Sequence, residues 1–215
     1  MPQDNPMRRT KEESEQTRQQ ILAAARDLFA HQGVTQTSLN QIAQAAGVTR
    51  GAIYWHFSNK TALFYAMREQ VSLPCLDRVD LVLLQADPTD PLAGIERLLR
   101  GLINRVETDV ATRQTFQIIT FKCEYVGELQ RELELQITHH REFVSKLTQA
   151  YHRAARAKQL RAGLRPELAA LDTCSFLAGL LRLWLMDEDG TLVRNAAAEL
   201  IGAHIAGHRP AVSIR

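Results

Sequence analysis

The stretch Ser38–Lys60, SLNQIAQAAGVTRGAIYWHFSNK, decides how this chain is read. Two short apolar-periodic segments flank a glycine. Ser38 stands as an N-cap ahead of Leu39, Ile42, Ala43 and Ala46, Gly47 supplies the turn, and Thr49 caps the second segment. Two helices crossing steeply over so short a turn need a small residue at the crossing and a backbone in the turn that tolerates unusual angles. Ala43 and Gly47 meet those demands, while Ile42, Val48 and Ile53 form the wedge that locks the second helix. With Ile53 and Phe57 facing in, Arg50, Gly51 and Tyr54 face out at i, i+1 and i+4. Between Asp27 and Glu69 there is no acidic residue, so this surface does not repel a phosphate backbone.

The outward residues suit a nucleic-acid duplex. Arg50 can reach guanine O6 and N7, a contact that discriminates by about 1–3 kcal/mol. Gly51, lacking a side chain, allows close approach to a backbone or base edge. Thr49, Tyr54, His56 and Lys60 have the donors that phosphate oxygens accept, and the helix amino end at Thr49 adds to that attraction. Arg8, Arg9 and Lys11 form a basic arm that reads either as a minor-groove contact or as a solvated tail.

Composition narrows the alternatives. The net charge of +2 over 215 residues excludes a polycation, so any nucleic-acid role rests on local charge. The 45% hydrophobic content is that of a chain with a core. Three scattered cysteines, Cys75, Cys123 and Cys174, argue against a disulfide framework and for a reducing cytoplasm. The first residues, MPQDNPMRRTKEE, lack the apolar core of a signal peptide. The run Phe176–Met186, FLAGLLRLWLM, reads as too short to span a bilayer, so no membrane partner is expected.

Strand-type alternation is absent, and the fold class expected is all-α, with about nine helices. The first helix is placed at about Ser14–His31, with Ile21, Leu22, Ala25, Leu28 and Phe29 on one stripe and Gly33 ending it. A fourth, capped by Asn59 or Ser58, carries Leu63, Phe64, Met67 and Val71. Pro74, Pro88, Pro91 and Pro166 are taken to separate periodic segments. Beyond them lie a helix over Pro91–Glu107 with Leu92, Ile95, Leu98, Leu99, Leu102 and Val106 in register, another from Thr112 to about Tyr125, and a long one from Glu128 to about Lys158. The long helix is expected to bury Leu129, Leu133, Ile137, Val144, Leu147, Tyr151 and Ala154. Pro166–Met186 and Leu192 to about Ala206 complete the chain. The organisation expected is a three-helix helix-turn-helix domain over 8–60, joined to a helical ligand-binding and dimerisation domain over 61–210.

The stretch Gly47–Phe64, GVTRGAIYWHFSNKTALF, resembles the signature of TetR-family transcriptional regulators. RRTKEE upstream, with KCEY and LLRLWL downstream, resembles the AcrR/TtgR-like branch that controls multidrug efflux pumps. The likeness is strong over roughly residues 8–65 and weaker beyond. It implies that Arg50, Gly51 and Tyr54 meet the major groove, that Ser38, Thr49, Tyr54, His56 and Lys60 hold phosphates, and that Trp55 packs between the third and fourth helices. The function it implies is a cytoplasmic, ligand-responsive repressor, not an enzyme, that needs no cofactor. Its partners would be a palindromic double-stranded DNA operator and a small apolar or drug-like effector. The alternatives are a small-molecule-binding helical protein that does not use DNA, or a regulator of a catabolic operon.

In the carboxy-terminal two-thirds, Pro166–Met186 is apolar nearly all round and must be covered on two sides. One cover is the protein's own core. The other reads as a second subunit, the last two helices of each protomer forming a four-helix interface as the resemblance also implies; a fully internal helix in a monomer is the alternative. Met67, Val71, Phe116, Ile119, Thr120, Phe121, Phe143, Leu147, Cys174 and Leu177 suit the lining of an apolar ligand site. Residue by residue they read better as plain core, and only the resemblance implies a cavity. Arg182, in the most apolar helix, is expected to be buried and so to need a partner: Asp172, a group across the dimer, or an anionic group on the ligand. His204 and His208 are four apart, a spacing that can share a metal, but no third ligand is evident beside them in sequence, and they are assigned no metal. Nucleophile–base arrangements, phosphate loops and zinc spacings are missing from the sequence.

Overall fold

The computed structural model describes residues 11–84 and 89–211, with side chains throughout except at 72–78, 80, 81 and 84. Arg8, Arg9, Pro88 and the side chains of Pro74 and Cys75 lie outside the described residues. The elements are α1 (Lys11–Gln32), α2 (Leu39–Ala45), α3 (Arg50–His56), α4 (Lys60–Leu84), α5 (Pro91–Thr108), α6 (Val110–Phe121), a 3-10 turn (Gly127–Leu129), α7 (Gln130–Arg156), α8 (Pro166–Met186) and α9 (Ala197–His208). Among the described residues there is no strand, as an all-α reading requires. The chain divides into two compact units. The first comprises residues 1–70 with 117–124, the second 71–116 with 125–215. The division thus falls inside α4 rather than near residue 60, and the end of α6 belongs to the first unit.

The first unit is built around one apolar face of α1. Ile21, Leu22, Ala25 and Phe29 are fully buried there, with Ile42, Ile53, Leu63, Phe64 and Met67 equally so. Each such side chain contributes about 1.5–3 kcal/mol of hydrophobic stabilisation. Phe29 and Phe64 meet with ring centroids 6.3 Å apart. Gly33 ends α1 at φ +86° and Gly47 ends α2 at φ +66°, backbone conformations that oppose any side chain. At α2 the end is a Schellman motif: Val48 N donates to Ala43 O at 3.0 Å and Gly47 N to Gln44 O at 3.2 Å. The carbonyls of α2 are thereby satisfied within three residues, and α3 begins at once.

Two expectations fail here. Helix α4 runs through Pro74 to Leu84. Proline removes only one intrahelical hydrogen bond, and a helix long on both sides of it can continue. Trp55 is 82% exposed and not packed between α3 and α4. Ile53 and Phe57 already fill the inward face of a helix only seven residues long.

The second unit packs α5, α7, α8 and α9 together. On α5 the buried aliphatic side chains beyond Pro91 are Leu92, Ile95, Leu98, Leu99, Ile103 and Val106, so Ile103 takes the core position expected of Leu102. On α7 the core begins at Leu147, with Ala150, Tyr151 and Ala154, while Leu133 (44%) and Ile137 (43%) are exposed. Helix α8, at 21 residues, is longer than its central apolar run and is long and apolar enough by composition to cross a membrane. Ala169, Ala170, Thr173, Leu180, Trp184 and Leu185 are nevertheless buried in protein.

The final helix starts at Ala197, five residues later than the apolar pattern suggests, because Asp187 captures the intervening backbone. Its carboxylate accepts from Leu192 N at 2.9 Å, Val193 N at 2.7 Å and Arg194 N at 2.7 Å. Arg194 returns across the same turn: its Nε donates to Trp184 O at 3.1 Å and its guanidinium lies 4.2 Å from the Trp184 ring centroid. Burial alone would raise the Asp187 carboxyl. The three backbone donors more than offset that and bring its pKa down to about 2. A depressed folded-state pKa contributes stability that is complete above the ordinary carboxylate value of about 4 and lost as pH falls below it. Thermal unfolding of Asp187→Asn, which keeps one acceptor oxygen, is therefore expected to show a lower Tm than wild type at pH 7. The difference should shrink between pH 4 and the folded value of about 2. A constant difference across that range contradicts the assigned role.

Candidate nucleic-acid interface

Helix α3 is positioned from both ends. Thr49 Oγ1 accepts from Ala52 N at 3.2 Å, capping its start, and Phe57 N donates to Ile53 O at 2.8 Å, closing its end. Ile53 is fully buried and Phe57 nearly so, which fixes rotation about the helix axis. Arg50, Gly51 and Tyr54 consequently lie on the exposed side, as the spacing predicts. Arg50 Nη2 donates to Tyr54 Oη at 3.1 Å, and its guanidinium lies 5.5 Å from that ring centroid. The structure thus brings together the two side chains best suited to base edges and phosphate, holding the arginine extended on the surface before any ligand arrives.

Gly51 has an ordinary helical backbone. A Cβ added there meets only Thr49 Oγ1, at 3.8 Å. Nothing in the fold demands a glycine at this position. His56 is half-buried beside Phe57, with ring centroids 6.2 Å apart. Ser38 makes a capping box with Gln41: its Oγ accepts from Gln41 N at 3.3 Å while its own N donates to Gln41 Oε1 at 2.8 Å.

Lys60 departs from its expected place. Its Nζ donates to Val34 O at 2.8 Å, Thr35 O at 3.0 Å and Thr37 O at 2.8 Å. An ammonium has three protons, and this geometry directs all three into the α1–α2 connection. The same connection is held by Thr37 Oγ1, which donates to Gly33 O at 2.7 Å, and by Val34 N, which donates to Lys122 O at 3.1 Å. Lys60 therefore fixes where α2 starts, and through α2 where α3 lies. The sequence shows a basic residue after a recognition helix, and it carries no sign of three carbonyls converging on that residue from the previous loop.

The residues expected to bind a ligand separate. Met67 and Thr120 belong to the first unit; Val71, Phe116, Phe143, Leu147, Cys174, Leu177 and Arg182 belong to the second. Leu147 and Met67 are fully buried, and Phe116, Phe143, Cys174 and Leu177 are half-buried. Burial raises the Cys174 thiol, which keeps it protonated. Arg182 is exposed, so the expectation of a buried arginine is wrong: it sits on the uncovered side of α8, where solvent reaches its head group. Reading by sequence neighbourhood also missed Asp172. It lies one helix away from His204 and His208, and its Oδ2 is 2.9 Å from His208 Nε2.

An outward helix bearing arginine, tyrosine and a bare glycine, in a surface without carboxylates, defines a helix-turn-helix regulator. Residues 21–67 match the family model described as bacterial regulatory proteins, tetR family, and residues 90–208 match that of the C-terminal region of MAATS-type transcriptional repressors. The HTH-type transcriptional regulator AcrR of Shigella flexneri is 38% identical over 194 residues, covering 90% of both chains. The crystal structure of NalD, the secondary repressor of the MexAB-OprM multidrug efflux pump in Pseudomonas aeruginosa, superposes with a TM-score of 0.79 at 34% identity. That match covers 93% of this chain and 98% of NalD. A complex of SmeT with triclosan superposes at 0.77 with 26% identity, covering 90% of this chain and 92% of SmeT. The chain belongs to the TetR family of transcriptional regulators. Its relatives are regulators, not enzymes.

The role of Lys60 can be separated from phosphate binding. Lys60→Met is expected to destabilise the protein to urea by on the order of 1–3 kcal/mol, the range for hydrogen bonds to charged groups. A lysine serving only phosphate would leave stability unchanged while flattening the salt dependence of DNA binding by about one.

Proposed function

We propose that this protein is a homodimeric, ligand-responsive repressor acting in the cytoplasm on a palindromic operator. The regulated genes would encode a multidrug efflux pump, and a small apolar or drug-like effector would release the protein from DNA. The observation that carries the DNA half is the outer face of α3, where Arg50 and Tyr54 are paired and exposed around Gly51. Arg50 reads guanine in the major groove, Gly51 lets the helix backbone approach, and Ser38, Thr49, Tyr54 and His56 hold phosphates. A twofold dimer places two such helices on half-sites about 34 Å apart, or a multiple of that.

The effector half is supported by the likeness to SmeT, a similar protein solved in complex with triclosan, and by half-buried Phe116, Phe143, Cys174 and Leu177 in the second unit. Apolar, aromatic and sulfur-bearing side chains accept varied drug-like molecules. Release requires the effector to bind the DNA-incompetent state more tightly. Shifting the population from 1:99 to 99:1 takes about 5.5 kcal/mol of differential binding.

Dimerisation through α8 and α9 is supported by their uncovered apolar residues. Leu168 (49%), Leu171 (52%), Leu183 (42%) and Met186 (58%) on α8, with Leu200 (38%) on α9, are exposed in the single chain. Such a face calls for a partner, and a second copy of the chain offers the same face.

Gly51→Ala separates reading from folding. The added methyl meets only a 3.8 Å contact, so the chain should fold as well as wild type or better. Operator affinity measured by fluorescence anisotropy should nevertheless fall by about tenfold or more, roughly 1.4 kcal/mol. Undiminished affinity would show that α3 does not approach DNA closely. Leu171→Glu should yield monomers by light scattering and weaken operator binding by roughly 100-fold through lost bivalency. A variant that stays dimeric places the interface elsewhere.

A further inference from the structure

Within the second unit, α7, α8 and α9 share a chain of polar side chains that is buried at Tyr151, Thr173 and His208, half-buried at His204 and exposed at Asp172. Tyr151 Oη lies 2.6 Å from Thr173 Oγ1 and 2.8 Å from His208 Nδ1. Thr173 Oγ1 lies 3.0 Å from His204 Nε2, and His208 Nε2 lies 2.9 Å from Asp172 Oδ2. His204 is stacked on Phe176 at 4.1 Å with the rings 6° from parallel, and it meets His208 edge-on at 4.6 Å. Asp172, His204 and His208 each offer one ligand atom, and those atoms lie within 4.8 Å of one another.

We propose that Asp172, His204 and His208 form a divalent transition-metal site, of the kind zinc occupies, that ties α8 to α9. Two imidazoles and one carboxylate make up a frequent zinc donor set, and two histidines four apart on a helix share a face. The outer contacts fit as well. A metal-bound imidazole almost always donates its other ring N–H to a fixed oxygen, which sets its tautomer and orientation. Here Nδ1 of His208 meets the Tyr151 hydroxyl and Nε2 of His204 meets the Thr173 hydroxyl. That arrangement leaves Nε2 of His208 and Nδ1 of His204 for an ion, with the Asp172 oxygen already beside the former. The Asp172 side chain is 57% exposed, which gives an ion a path from solvent.

The ion would take the place of the direct contact between His208 Nε2 and Asp172 Oδ2. Its consequence is mechanical. Helix α9 carries no side-chain N-cap and follows the turn wrapped on Asp187, so a metal bond from His204 and His208 to Asp172 would clamp its last two turns to α8.

The test uses tag-free, full-length protein stripped of metal, titrated with Zn2+ by equilibrium dialysis with elemental analysis. One Zn2+ per chain is expected. His204→Ala and Asp172→Asn should each weaken uptake by at least about tenfold, and Tyr151→Phe should weaken it by about tenfold through the ring it orients. His139→Ala and His140→Ala, on α7, should leave uptake unchanged. Circular dichroism confirms that each variant is folded. As a second readout, Zn2+ should raise the Tm of wild type and not that of His204→Ala. Failure of wild type to bind Zn2+, or uptake undiminished in either His204→Ala or Asp172→Asn, overturns the proposal and leaves the cluster as a hydrogen-bonded core network.

Discussion

The Lys60 ammonium, seated on the carbonyls of Val34, Thr35 and Thr37, is the constraint on which the DNA-facing surface depends. Helix α2 has seven residues and α3 has seven, too few for either to persist alone in water. Their orientation is borrowed from α1 and the start of α4. Apolar burial of Ile42 and Ile53 supplies the adhesion but has no direction along the helix axes. Direction comes from polar ties: the lysine clamp, the Ser38–Gln41 capping box, the Schellman turn at Gly47 and the Thr49 cap. Together they leave one face of α3, with Arg50 and Tyr54 on it, open to solvent.

The second unit solves the equivalent problem with buried polar chemistry. Asp187 organises the turn between α8 and α9 by accepting three backbone N–H groups, and Arg194 closes it over Trp184. Further along, Tyr151, Thr173 and His208 cross-link α7, α8 and α9. Burial pushes the Tyr151 phenol well above its ordinary pKa, so it remains a neutral hydroxyl able to donate and accept at once. These bonds position α8 and α9 relative to one another and so shape the exposed leucine face that the two helices carry.

Much of this was legible in the residues. Helical spacing of Ile21, Leu22, Ala25 and Phe29 placed the α1 core, and Ser38, Gly47 and Thr49 marked the helix ends because caps and left-handed turns are local chemistry. Failures share a different cause. Leu133 and Ile137 were misplaced because hydrophobic pattern reports what a side chain prefers, not whether the neighbouring surface has room for it, Arg182 because its helix was taken to be covered all round, and Trp55 because its packing was carried over from the family resemblance. The carbonyl seat of Lys60 and the turn wrapped on Asp187 were not legible because their partners are backbone groups, which carry no residue code. Asp172 was missed beside His204 and His208 because it lies on another helix. The start of α9 was set by a carboxylate, against an apolar pattern that ran on without interruption.

The proposed function requires the outer face of α3 to enter the major groove with Arg50 on guanine. Dimethyl sulfate probing tests it most directly, since the reagent marks guanine N7 in the major groove and adenine N3 in the minor groove. On duplexes selected by the full-length protein from a random pool, guanines should be shielded in two clusters related by inverted symmetry. Arg50→Ala should lose that shielding on the same duplex under conditions where it still binds. Shielding confined to adenine N3, or guanine shielding that persists in Arg50→Ala, would contradict the account.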